Sequence, residues 1–93
     1  MATFHAMTLG LVRDGTDLTL RQMVILMECN LRPRTVRYLA ETLNIPKPAI
    51  TRAIDRLEKE LGLAERRSDP DDGRSILVGL TNSGRNFTKI LVG

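Results

Sequence analysis

The stretch that decides the fold is RTVRYLAETLNIPKPAITRAIDRLEKELGLAERRSDPDDGR, from Arg34 to Arg74. Its apolar residues change period along the way. Val36, Leu39, Ala40 and Leu43 recur at i, i+3, i+4 and i+7, the stripe of a short amphipathic helix. Thr35 can cap that helix with its hydroxyl, Asn44 tolerates a left-handed backbone at its end, and Ile45 plugs the turn. Pro46-Lys47-Pro48 opens a second helix, because a missing N–H costs nothing in the first turn. Ile50, Ala53, Ile54, Leu57 and Leu61 form its buried stripe. Lys47, Thr51, Arg52, Asp55, Arg56 and Lys59 fall on the opposite face, and Gly62 supplies a left-handed stop. From there the period drops to two. Leu63–Arg67 is one strand, and Ser75–Leu80 returns, with Ile76, Val78 and Leu80 alternating with Leu77 and Gly79. Between them Pro70 suits the second position of a turn, and Gly73 is expected at positive φ. Helix, tight turn, helix and charged hairpin make an α+β, mainly α, winged helix-turn-helix, with a wing of two or three strands.

The flanks are read as support. Residues 1–17 are an N-terminal arm, open between a loose tail and a short helix; residues 18–93 are the winged domain. Arg13-Asp14-Gly15-Thr16-Asp17 is a turn or loop. Thr19-Leu20-Arg21-Gln22 is a capping box opening a core helix that runs to about Glu28 or Asn30. Its buried positions are expected to include Leu20, Val24, Ile25 or Met23, and Met27 or Glu28. Pro33 ends it. Thr81 caps a last helix with Phe87, Ile90 and Leu91 on the inner side.

Ninety-three residues suffice for one small domain with one core. Aromatics at 3% leave Leu, Ile, Val, Met and Ala to build that core, and they exclude a base-stacking platform of the single-strand or RNA-reading type. Cys29 is the one cysteine, so no intrachain disulfide forms, and a reducing cytoplasm is the expected compartment. No signal peptide and no run of about 20 apolar residues for a membrane span are present. One His and one Cys give no nucleophile–base pair, so no enzyme is expected. Asp69, Asp71 and Asp72 lack calcium-loop spacing, and no metal or cofactor is expected. Cys29, at the end of an apolar helix, reads as a buried, inert thiol.

The net charge of +3 permits a nucleic-acid partner without requiring one. Between Arg32 and Arg74 there are ten Lys+Arg and eight Asp+Glu, so positive charge must be segregated by face. Lys47, Pro48, Thr51 and Arg52 occupy the start of the second helix, where short or basic side chains meet base edges in the major groove. Arg52 can pair with guanine or a phosphate; Thr51 can offer a hydroxyl or touch a thymine methyl. Arg56, one turn on, suits a backbone phosphate. Arg66, Arg67 and Arg74 make the wing basic, and a basic hairpin can enter the narrow minor groove. Asp72 is placed to hold the Arg74 guanidinium through a carboxylate pair.

At these residues the chain resembles the MarR family of bacterial and archaeal winged-helix regulators. The carrying strings are Leu18–Gln22, Leu39–Ile45, Ala49–Glu58, Glu65–Ser75 and Leu80–Gly84, and the resemblance covers about residues 18 to 91. It implies regulation of transcription at the nucleoid, Arg74 in the minor groove braced by Asp72, and recognition through Thr51 and Arg52. Pro46 departs from the family's serine cap, and Gly73 from a frequent arginine. Family members usually carry a long first helix and two C-terminal helices that form a dimer and line an effector pocket. Here the arm is short and the last helix stops early, so no small-molecule effector is expected, and any homodimer would use the N-terminal arm and last helix. The rival expectation is a winged-helix protein-interaction module with an exposed apolar patch at Met7, Leu9, Leu11 and Phe87.

Overall fold

A computed structural model describes residues 3–92. The elements run α1 (Phe4–Arg13), α2 (Leu20–Leu31), β1 (Arg34–Thr35), α3 (Val36–Leu43), α4 (Lys47–Asp55), a π-helical turn (Arg56–Glu60), β2 (Ala64–Asp69), β3 (Asp72–Leu80) and α5 (Asn82–Val92). The sheet is antiparallel in the order β1-β3-β2. Arg34 and Thr35 form its third strand by pairing with Val78 and Leu77. The arm is helical: Thr3 caps α1, and α1 packs against α5.

Local signals account for the helix ends. The Thr19 hydroxyl accepts from Gln22 N–H, and Gln22 Oε1 accepts from Thr19 N–H, both at 3.0 Å, so two unpaired donors are satisfied at once. Thr35 caps α3 through Tyr38 N–H, and Asn44 closes it at φ 56°. Pro46 stands before α4 with no side-chain cap, and its carbonyl takes the Ala49 and Ile50 N–H groups. Gly62 has φ +64°.

The core joins Ile25 and Leu26 of α2, Leu39 of α3, Ile50, Ala53, Ile54 and Leu57, and Ala64, Val78 and Leu80 of the sheet. Each fully buried aliphatic side chain contributes roughly 1.5–3 kcal/mol by leaving water. Four expectations are corrected. The buried stripe of α2 is Gln22, Ile25, Leu26 and Cys29, whereas Leu20 is exposed and Val24 half-buried. On α5 the innermost residues are Gly84 and Thr88, and Ile90 is exposed. The Thr88 hydroxyl is 2.9 Å from the Arg85 carbonyl and 3.1 Å from Asn30 Oδ1, which makes its complete burial tolerable. Gly73 lies in β3, outside the positive-φ region, because the tip is the two residues Pro70-Asp71 with Asp69 opposite Asp72. The second helix does not run unbroken to Leu61: it widens at Arg56, and Leu61 N–H donates to the Arg56 carbonyl at 3.1 Å.

Candidate nucleic-acid interface

Burial of Ile50, Ala53 and Ile54 fixes the rotation of α4 about its axis, so Lys47, Pro48, Thr51 and Arg52 all face solvent. Neither Lys47 nor Arg52 is in an ion pair among the described residues. Arg74 projects from β3 beside the wing tip, also exposed and unpaired within that set. Lys47 and Arg74 line a single cleft with Thr35, Val36, Arg37 and Ser75, and no carboxylate among the described residues lines it. The two basic parts therefore lie on one side of the molecule.

Asp72 acts differently from the carboxylate pair expected of it. Its Oδ1 accepts from the backbone N–H of Arg74, and its Oδ2 from the Ser75 hydroxyl, each at 3.0 Å. It fixes the backbone that carries Arg74 and leaves the guanidinium unpaired. Asp69 shapes the other side of the tip through Asp71 N–H at 2.9 Å.

Arg66 and Arg67 are in mid-strand, opposite Val78 and Leu77, not at the wing tip. Arg66 Nη2 is 2.7 Å from Asp55 Oδ1, its Nη1 is 2.5 Å from Glu58 Oε1, and its backbone N–H donates to Glu58 Oε2 at 2.9 Å. This three-way contact ties the wing to α4 and its π turn. Widening the helix at Arg56 coincides with Glu58 meeting β2, so the π turn lies where the helix and the wing join. Arg67 donates from Nε and Nη2 to Glu65 Oε1 and from Nη2 to the Leu80 carbonyl, and its guanidinium occupies the space over Gly79.

The Arg66 hydrogen bond holds the Asp55 carboxyl below the usual carboxylate range; the Arg66 backbone N–H, then its side chain, does the same for Glu58. A carboxyl depressed in the folded protein stabilises it above the ordinary carboxylate pKa and loses that effect as pH falls through the folded value. Thermal stability is therefore expected to hold from neutrality to about pH 5 and to decline below about pH 4. Glu58→Gln should melt lower than wild type at neutral pH and converge with it in acid. Circular dichroism melts across that range check this, and a gap of the same size at both ends would refute the role given to Glu58.

Arg56 is turned toward α2. Its Nη1 donates to Gln22 Oε1 at 2.7 Å, and its Nε is 3.4 Å from Glu60 Oε2. It shares a cleft with Arg21 and Arg52. Arg21 was not singled out in the sequence, where it reads as one residue of a capping box. Asp55 and Glu58 are three residues apart, a spacing that signals one helix face. Their partner on β2 has no such local signal. Cys29 is buried, and burial pushes its thiol up to about 12, against the opposing pull of Arg34.

Residues 16–75 match the family model described as MarR family. Over 81 residues the chain is 36% identical to the transcriptional regulator AdcR of Streptococcus pneumoniae, covering 87% of this chain and 55% of that protein. Among solved structures it is similar to the transcriptional regulator BldR of Sulfolobus solfataricus, with a TM-score of 0.73 and 33% identity over 81% of this chain and 56% of that one. Wild-type MarR of E. coli in its apo form gives 0.73 and 31%, over 82% and 56%. A variant of ZitR from Lactococcus lactis gives 0.76 and 29%, over 82% and 51%. The chain thus spans about half the length of these relatives.

Proposed function

The chain belongs to the MarR family, and from that premise we propose that it binds double-stranded DNA sequence-specifically and regulates transcription. The start of α4 enters the major groove, with Lys47, Pro48, Thr51 and Arg52 toward base edges and phosphates. Arg74 enters the adjacent minor groove from a wing whose backbone Asp72 fixes. Arg66 and Arg67 serve by holding the wing in place. The observation that carries this reading is the acid-free cleft shared by Lys47 and Arg74. The overall surplus of +3 is modest, so its concentration on this side matters more than the total.

A protein-docking winged helix would use the patch named earlier. Leu9 is exposed, but Met7 and Leu11 are half-buried and Phe87 packs against the core. A second copy of the chain is the partner that fits the exposed Phe4, Leu9 and Val12 of α1 and Ile90 of α5, since these two helices lie together. Pairing of two copies would also supply two half-sites on one duplex.

Thr51→Ala and Arg52→Ala test the groove assignment. Each is expected to lower discrimination between a selected site and a random duplex by about 1–3 kcal/mol. Site selection from a random pool, followed by gel-shift titration of both duplexes, measures it. Wild-type discrimination in both variants would remove the assignment.

A further inference from the structure

α4 is flanked by two basic clefts, and the proposed groove contacts use only one of them. The second lies between the start of α2 and α4 and is lined by Thr19, Arg21, Gln22, Ala49, Arg52 and Arg56, together with Ala53. Three arginines face it, and no carboxylate among the described residues lines it. Ala49 and Arg52 lie on one side of α4 at i and i+3, Arg56 of the π turn joins them in the same cleft, and the small Ala49 leaves the concavity open. Arg21 and Arg52 are exposed and in no ion pair among the described residues. Arg56 is held in place: the buried Gln22 takes its Nη1 on the same Oε1 that accepts the Thr19 N–H. The capping box of α2 therefore does a second job as an orienting bracket for an arginine of the neighbouring helix.

Arg56 keeps Glu60 as a partner at 3.4 Å, whereas Arg21 and Arg52 have no carboxylate partner among the described residues, so an anion placed in the hollow would be drawn chiefly by these two guanidinium groups. A helix lying in the major groove has a phosphate strand along each side, since the groove is about 12 Å wide. In the DNA-binding reading, the cleft that begins at Lys47 would lie along one strand and the Arg21–Arg52–Arg56 cleft along the other. We infer that this second cleft seats a backbone phosphate of the same duplex, with Arg21 as a DNA-contacting residue supplied by α2. The inference rests on the DNA-binding reading. Guanidinium forks suit a phosphodiester, because two parallel N–H donors match two oxygens. Arg52 lies at the boundary between this cleft and the base-facing side of α4, and Arg21 and Arg56 complete the seat.

A phosphate contact contributes to affinity without regard to sequence and releases counterions, so it is read in the salt dependence of binding. Arg21→Ala is expected to weaken a selected duplex and a random duplex by the same factor. The slope of log K against log salt concentration should become shallower by about 0.9, the share of one phosphate on B-form DNA. Arg21→Lys, which keeps a point charge, should retain the wild-type slope. Both variants should melt with wild type, since Arg21 is solvent-facing. If Arg21→Ala keeps the wild-type slope and affinity while Arg74→Ala loses both, the DNA-binding reading stands and the phosphate seat is wrong. A loss of site discrimination with an unchanged slope also overturns the seat, because Arg21 would then be reading bases. Failure of the wild-type chain to bind either duplex at low salt removes the reading and the inference together.

Discussion

Replacing Gly84 with alanine is expected to lower the melting temperature by roughly 10–20 °C, from a cost of about 3 kcal/mol. In most helices the same change stabilises by up to about 1 kcal/mol, so the sign is informative. The reason is a close approach of two backbones. A Cβ at Gly84 would sit 2.9 Å from the Leu63 carbonyl carbon and nearer still to its oxygen. Leu63 cannot step aside easily. Its N–H donates to the Leu57 carbonyl at 2.8 Å, and its carbonyl accepts from Thr81 N–H at 3.2 Å. Thr81 is itself committed, donating to the Gly62 carbonyl and accepting from Gly84 N–H. The first turn of α5, the end of the π turn and the base of the sheet thus meet at one point, which an added methyl group would force apart. Thermal denaturation followed by circular dichroism tests this; a melting temperature equal to or above wild type would show that the approach relaxes without cost.

Arg74→Ala is expected to weaken binding to every duplex by about 10- to 100-fold, corresponding to about 1–3 kcal/mol. The salt slope should fall by about 0.9 if the lost contact neutralises one phosphate's worth of charge. Stability should not change, because Arg74 is exposed and its backbone is held by Asp72. This separates it from Arg66, whose removal would leave Asp55 and Glu58 facing each other without their shared cation. Gel-shift titration at two salt concentrations, with a melting curve as control, measures the effect. Wild-type affinity in Arg74→Ala would leave the wing with no role in DNA binding.

The parts of this architecture readable in the sequence are those set by a residue's own backbone or its nearest neighbours. Thr19 with Gln22, Thr35, Asn44 and Gly62 each announce a helix boundary because each satisfies or relaxes a local backbone demand. The stripe Ile50, Ala53, Ile54 and Leu57 is legible because one face of α4 is polar. α2 misleads because apolar residues surround it, and the position actually chosen for burial includes a glutamine. Gln22 is acceptable in the core only because Thr19 and Arg56 satisfy it, and Arg56 is 34 residues away. β1 has no local signature for a similar reason: two residues carry no periodicity, and they become the third strand only opposite Val78 and Leu77. At the proposed interface, the exposure of Thr51 and Arg52 is legible in the helical spacing, and that of Arg74 in the turn residues before it. The engagement of Arg66 by Asp55 and Glu58, and the hollow shared by Arg21 with Arg52 and Arg56, required the folded chain.

The Arg66 contact to Asp55 and Glu58 ties the hairpin to the helix beside it. A tool built this way resembles a caliper locked at one opening. In the proposed complex it gauges the local pitch of the double helix as well as its letters, because an overwound or underwound segment would carry the second groove out of reach of the fixed jaw.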